Sequence, residues 1–390
     1  MSDTQKHNKP NVPNLRFPGF SEEWEKHRIG ELCSFFSGGT PSSSKKEYYG
    51  GKISFIRSGE IHSDDTELFL SEEGYKNSSA KMVEVGDILL ALYGANSGDI
   101  AISKIHGAIN QAILCIRTNM VSVFFKSVWE KHTQKILDTY LQGGQGNLSA
   151  EIVKKIFIHL PAYDEQLKLA AFISKLEERI AIQNKVIEDL KSLYDVICQK
   201  LYSPNDKLGW QEFKYSDIFT ISNERNSRLQ YTNVLSASQE YGMIERGELN
   251  IDIKFDAASI KNYKIVRPNE YVIHLRSFQG GFAYSDKTGI CSPAYTILLP
   301  NERLIPSFLK YYFTSIRFIN SLRIVTYGIR DGRSISVEEF LQLKIAIPSI
   351  PEQHHIVNAM QLWEDMIRIE ECHLSNLQKQ KQYLLRQMFI

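Results

Sequence analysis

Apolar side chains recur every three or four residues through the stretch 165–202: Leu169, Ile173, Leu176, Ile180, Ile187, Leu190, Tyr194, Ile197 and Leu201. Gln183 is the one polar member of the series. Steps alternating between four and three trace a heptad seam, which predicts a long α-helix that buries one stripe against a partner helix. The same pattern returns over 352–389 with Ile356, Met360, Trp363, Ile367, Leu374, Leu377, Leu384 and Met388. Glu370 and Lys381 interrupt this second seam, and Glu370 falls where Gln183 does. Similar phrases open both runs, HLPAYDEQ at 159–166 and AIPSIPEQ at 346–353: an apolar strand-like residue, a proline, a short turn, then Glu-Gln. Two matching helices predict that the chain supplies its own coiled-coil partner.

Ahead of each helix the pattern changes to short β-type alternation, and it too is doubled. Trp24 and Leu32 in WEKHRIGELCSFFSGGTPS answer Trp210 and Ile218 in WQEFKYSDIFTISNERNS. VEVGDILLALYGANSGDIAI (83–102) lines up with VRPNEYVIHLRSFQGGFAYS (266–285), both reading as strand, glycine-containing turn, strand. HGAINQAILCIRTN (106–119) answers TGICSPAYTILLPN (288–301), again strand-like. A short helix follows in each half, around Phe124–Tyr140 and Ser307–Leu322, then the glycine-bearing loops LQGGQGNLS (141–149) and VTYGIRDGRSIS (325–336). The offset between copies drifts over about 182–187 residues, as duplicated units with loop insertions do. Two copies at so long a period make a tandem duplication, not a solenoid.

The fold class predicted is α+β: two β-rich domains, each followed by a long helix, the helices forming an antiparallel coiled coil with pseudo-two-fold symmetry. The boundaries expected are a flexible lead-in at 1–20, a domain at 21–162, a helix at 163–203, a second domain at 204–349 and a second helix at 350–390. If the lead-in docks, Leu15, Phe17 and Phe20 are its anchors. Each helix of ~38 residues would be ~57 Å long. Gln183 and Glu370 either fix register and orientation at mid-helix or reach solvent at the seam edge.

Composition narrows the class without naming a function. Hydrophobic residues make up 43% and aromatics 11% of the 390 residues, which is ordinary folded protein. The net charge of +1 argues neither for nor against nucleic acid. Cys33, Cys115, Cys198, Cys291 and Cys372 show no paired spacing, so a reducing, cytoplasmic setting is expected. No apolar run approaches the ~20 residues that span a bilayer, and the polar N-terminus lacks a signal-peptide core.

Candidate chemistry is sparse. QGGQGN (142–147) lacks the Gly-Lys-Ser/Thr of a phosphate loop, and YGANSG (93–98) is no dinucleotide fingerprint. Asp87 and Asp252-Ile253-Lys254 make a poor nuclease signature, His354 and His355 open a helix, and Asp64-Asp65 reads as an exposed loop pair. No catalytic residue and no metal site are expected. Basic residues interleaved with aromatics carry more information: Lys310, Tyr311, Tyr312, Arg317, Arg323, Tyr327, Arg330 and Arg333 in one half, and Lys126, Lys131, His132, Lys135, Lys154 and Lys155 in the other. Such segments supply phosphate contacts even at zero net charge, though lysines and arginines also decorate ordinary surfaces. Polar loop side chains that reach base edges are Asn96, Asn110, Gln111, Gln145 and Asn147 in the first half, and Arg276, Gln279 and Arg330 in the second. Ser37, Thr40, Arg57, Tyr93, Tyr327 and Arg333 complete the candidate DNA contacts.

The doubled architecture, the Pro…Glu-Gln helix openings and the phrases SGGTPS (37–42), VGDILLALYG (85–94), INQA (109–112) and GGQGNLS (143–149) together resemble the specificity subunit of a type I restriction–modification enzyme. The likeness runs from about Leu15 to Ile390. The second half departs from it, with no SGGTPS and with Ser292-Pro293-Ala294 in place of Asn110-Gln111-Ala112. The resemblance implies a non-catalytic subunit whose two target-recognition domains each read half of a split, asymmetric sequence in double-stranded DNA. It implies two modification (methyltransferase) subunits docked on the helix pair and restriction (translocase–nuclease) subunits joined to that core. S-adenosylmethionine, ATP and Mg2+ would bind those partners, leaving this chain without a cofactor. Leu176, Ile180, Gln183, Ile187, Trp363, Ile367, Glu370 and Leu374 are the seam and docking residues expected. The competing readings are a stand-alone restriction endonuclease with duplicated DNA-binding domains and a coiled-coil interaction scaffold.

Overall fold

The structure, a computed structural model, describes residues 11–140, 147–202, 209–238, 241–249, 257–274, 281–327 and 334–390. It divides into two compact units, Met1–Asn184 with Cys372–Ile390, and Lys185–Glu371. The long helices Tyr163–Leu201 and Ile350–Met388 each contribute to both units.

In the first unit, Glu25–Arg28 pairs antiparallel with Phe157–Leu160, the strand that runs into the helix-opening proline. The central antiparallel sheet has the order Cys33–Ser37, Ile113–Thr118, Ile88–Ala91, Ile100–Ile102. Its inner strand is apolar at every position because both faces are covered. Ile88 and Leu90 join a core with Phe124, Phe125 and Trp129 of the helix Ser122–Tyr140. Leu89 and Ala91 join a second core with Ile56, Val83 and Ile109 of the neighbouring sheet. That sheet has the order Phe69–Leu70, Tyr49–Ile56, Gly107–Ile109, Lys81–Val83.

The second unit repeats the plan. Gln211–Lys214 pairs with Lys344–Ile347, and the central sheet runs Phe219–Ser222, Thr296–Pro300, Tyr271–Ile273, Phe282–Tyr284. Tyr271 and Ile273 face one core and Val272 the other. The helix expected over Ser307–Leu322 is instead two, Phe308–Phe313 and Ile316–Ser321. Ser315 breaks it by capping the second piece, its Oγ accepting the Phe318 N–H at 3.3 Å.

The Glu-Gln openings explain how each domain is clamped to its helix. Gln166 is buried; its amide donates to the Pro161 carbonyl (3.0 Å) and its Oε1 accepts the Val121 N–H (3.2 Å). Gln353, fully buried, donates to the Pro348 and Arg303 carbonyls (3.0 and 2.9 Å) and accepts the Ile305 N–H (2.8 Å). Glu165 takes a two-pronged hydrogen bond from Arg16 (2.7 Å each), while Glu352 accepts the Trp210 indole N–H (3.0 Å). The lead-in residues touch both long helices: Phe17 meets Phe172 edge-on and Lys168 sits over Phe17 and Phe20 on the first, and the Leu15 N–H donates to the Gln387 carbonyl on the second.

Within each unit the helix segments run antiparallel. In the first, Glu177 meets Lys381 while the helix start lies with Leu385, Met388 and Phe389; in the second, Lys191 meets Glu371 and Tyr202 shares a core with Ile356 and Met360. Of the expected seam residues, Leu176, Gln183 and Ile187 are buried, and Ile180, Trp363, Ile367, Glu370 and Leu374 half-buried. Lys381, which breaks the apolar pattern, is held by Glu130 (2.8 Å) and Glu177 (2.6 Å), both also bound by Lys126. Burial works against the Lys381 charge, but the two carboxylates outweigh it and raise its pKa; burial likewise opposes the Glu177 charge, but Lys126 and Lys381 hold its carboxyl below the usual range.

Candidate nucleic-acid interface

Five loops converge at one end of the two sheets in the first unit. The Gly39 N–H donates to the Ile109 carbonyl (3.2 Å), bringing the loop after Cys33–Ser37 onto the end of Gly107–Ile109. Only glycine permits this approach: a Cβ at Gly38 would collide with the Ile109 carbonyl, and one at Gly39 with the Ser79 hydroxyl. The Asn110 N–H donates to Ile56 (3.3 Å), beside Arg57. Leu92 donates to the Ala112 carbonyl (2.8 Å) and accepts from the Leu148 N–H (2.8 Å), which draws in the strand end at Tyr93 and the loop carrying Asn147. Finally, Asn96 lies against Gly59.

Ser37, Thr40, Arg57, Tyr93, Asn96, Asn110, Gln111 and Asn147, spread over more than a hundred positions of sequence, therefore share one loop surface. Thr40, Asn96, Gln111 and Asn147 are exposed and Ser37 is half-buried. Thr40 donates its hydroxyl to Gln111 Oε1. Asn110 is turned inward: its Oδ1 accepts the Ala112 N–H (3.1 Å) and so builds the turn. Tyr93 packs on the core, and burial raises its hydroxyl pKa. Arg57 has both arms on acids, Glu60 (2.9 and 3.0 Å) and Glu67 (2.5 Å), which raises its pKa and makes it a brace of its loop. His62 bridges to Asp99 at 3.0 Å across the same surface, a contact with no local sequence signal.

In the second unit Tyr327 ends the short strand Thr326–Tyr327, while Gln145 of the first half and Arg276, Gln279, Arg330 and Arg333 of the second lie outside the described residues. Asp252-Ile253-Lys254 also lies outside them. In the basic–aromatic run from Lys310, the first three members are engaged within the fold, while Arg317 is exposed. Lys310 is bound to Glu364 (2.8 Å), Tyr311 is 2% exposed, and Tyr312 packs on the core. The helical turn of Phe308–Phe313 points these aromatics inward, which linear clustering of charge and rings does not reveal. Lys126, Lys131 and Lys154 are likewise committed, to Glu130 and Glu177, to the Phe389 carbonyl, and to Glu151.

Asp87 is bound to Arg117 (2.6 Å) and Asp64 to Lys104 (2.7 Å). Among the described residues no group of three or more His, Cys, Asp or Glu is arranged to hold a metal ion, and no helix is long and apolar enough to cross a membrane. A cavity of about 360 Å³ is lined by Trp129, His132, Ile136 and His159 among others, and by none of the convergent loop residues.

Over residues 21–192 and 207–379 the chain matches the family described as Type I restriction modification DNA specificity domain. The type I restriction enzyme MjaVIII specificity subunit of Methanocaldococcus jannaschii is 22% identical over 407 residues, covering 95% of this chain and 92% of that protein. The EcoR124I/EcoR124II specificity subunit of Escherichia coli is 24% identical over 188 residues, 45% of each chain. Among solved structures, the type I restriction–modification S subunit from M. genitalium shares the fold, with a TM-score of 0.57 at 15% identity over 97% of this chain and 99% of that one. Two domain-plus-helix modules and a family match that covers both lead to one conclusion: the chain belongs to the DNA-specificity subunits of type I restriction–modification systems, their recognition component.

Proposed function

We propose that each β-rich domain reads one half of a bipartite, asymmetric target in double-stranded DNA, and that the helix pair sets the unread spacing between the halves. The observation that carries this reading is the convergence of Thr40, Asn96, Gln111 and Asn147 on one exposed loop surface, on a sheet order that the second domain repeats with different loops. Similar scaffolds with unlike loops suit two readers of unlike sequences. Phosphate contacts would come from lysines not already committed to carboxylates, and base discrimination from the loop amides.

The same proposal assigns partners. Two modification subunits would dock on the long helices, where Leu193 and Val196 on one and Leu362 and Ile369 on the other are exposed. The seam residues would serve by holding the helices together, since they are buried or half-buried. Restriction subunits would join that assembly, and S-adenosylmethionine, ATP and Mg2+ would bind the partners. Exchanging residues 24–160 for the corresponding domain of another such subunit should change one half of the methylated motif and leave the other half as it was. A change in both halves, read by mapping methylated bases in DNA from cells expressing the complex, would sink the modular reading.

A further inference from the structure

The turn at 110–112 divides two roles between neighbouring amides. Asn110 spends its side-chain oxygen on the Ala112 N–H (3.1 Å), and its carbonyl accepts the Ile113 N–H (3.3 Å). The middle residue, Gln111, is thereby lifted to the surface, where it is exposed. The second domain builds the same turn with other residues: Ser292 Oγ accepts the Ala294 N–H (3.3 Å), and its carbonyl the Tyr295 N–H (3.0 Å). The exposed middle residue there is Pro293, whose side chain offers no hydrogen bond. The turn is thus common scaffold, and what it presents differs.

In the first domain a hydroxyl is also placed against the presented residue. Gly38 and Gly39 bring their loop onto Ile109, and Thr40, the next residue, donates to Gln111 Oε1. A long, flexible glutamine ordinarily loses rotamer freedom on binding; one already tethered at its oxygen loses less. The tether uses one lone pair of Oε1 and does not engage the two Nε2 hydrogens or the second oxygen lone pair of this exposed side chain. That donor-beside-acceptor edge matches adenine, which offers an N6–H donor next to the N7 acceptor in the major groove.

We infer that Gln111 reads an adenine in the half-site of the first domain, that Thr40 is its positioning residue, and that Pro293 marks the same turn of the second domain as silent in base reading. This inference rests on the proposal that the loop surface faces DNA.

The test uses the full chain co-expressed with its modification subunit, with methylated motifs mapped for wild type, Gln111→Ala, Gln111→Glu, Thr40→Val and Thr40→Ser. Gln111→Ala should drop the demand for one A·T pair in one half-site, lowering discrimination there on the order of tenfold to hundredfold, with the other half-site unchanged. Thr40→Val should relax the same pair more weakly, and Thr40→Ser, which keeps the hydroxyl, should restore it. Should Gln111→Ala fail to co-purify with the modification subunit, the near-isosteric Gln111→Glu reports on the same pair. An unchanged motif, relaxation at a G·C pair, or an even loss at every site without new sites would each overturn the inference. A wild-type complex that methylates without sequence preference would overturn the recognition reading beneath it.

Discussion

Gln166 and Gln353 show how much one side chain can organise. Each is buried at a helix opening, and each satisfies both the carbonyl of the preceding proline and an N–H of the preceding domain. Alanine at either position strands those groups without water. Gln166→Ala should cost ~2–4 kcal/mol, measured as a fall in the unfolding midpoint by calorimetry; a loss under ~0.5 kcal/mol would show that the clamp is not needed. The charge cluster of Lys126, Glu130, Glu177 and Lys381 makes a second residue-scale prediction. The lowered Glu177 pKa means its stabilisation is complete above the unfolded value of ~4.3 and is lost as pH falls through the folded one. The raised Lys381 pKa means its share is complete below ~10.4 and is lost as pH rises through the folded value. Lys381→Met should therefore weaken the protein by ~1–3 kcal/mol near neutrality, discounted for partial exposure. The gap to wild type should narrow below pH ~4. A gap independent of pH would assign Lys381 a packing role alone.

At the scale of elements, the two long helices are read correctly from periodicity because each i, i+3, i+4 stripe is local. What lies on the stripe is settled by contacts. Lys381 looks like a flaw in the seam, yet its acids lie 204 positions away in Glu177 and in the helix Ser122–Tyr140. The divided helix of the second domain has a similar lesson: Ser315 carries the cap signal, but the apolar residues around it favour one continuous helix. If the helix pair sets spacing, adding one heptad to both long helices lengthens the pair by ~10 Å while keeping the seam in register. The unread spacer of the methylated motif should then grow by about three base pairs, at ~3.4 Å each, with both half-sites intact. An unchanged spacer would remove the ruler role from the helices.

For the whole molecule, a net charge of +1 describes a chain whose cations are largely balanced within it. Lys126, Lys154, Lys310, Lys344 and Arg267 all sit on carboxylates. With acids and bases so nearly equal in number, DNA binding by this chain alone should depend on salt less than that of a strongly basic binder. Between 50 and 200 mM salt we expect a loss below ~10³-fold, the range for six or more phosphate contacts, measured by fluorescence anisotropy. A steeper loss would mean that these internal pairs open on DNA.

Sequence by itself determined the duplication, both seams, the helix openings and the paired strand–turn–strand segments at 83–102 and 266–285, because each is a pattern between near neighbours or a repeat of one. It also named the loop residues Thr40, Asn96, Gln111 and Asn147. Tertiary structure alone decided which of the named residues present themselves and which are spent. Arg57 is consumed by Glu60 and Glu67, Asn110 by its own turn, and Lys310 by an acid 54 positions on. Charge and polarity are properties of a residue, but availability depends on what the folded backbone brings within hydrogen-bonding reach, whether two positions away, as for Asn110, or 54, as for Lys310.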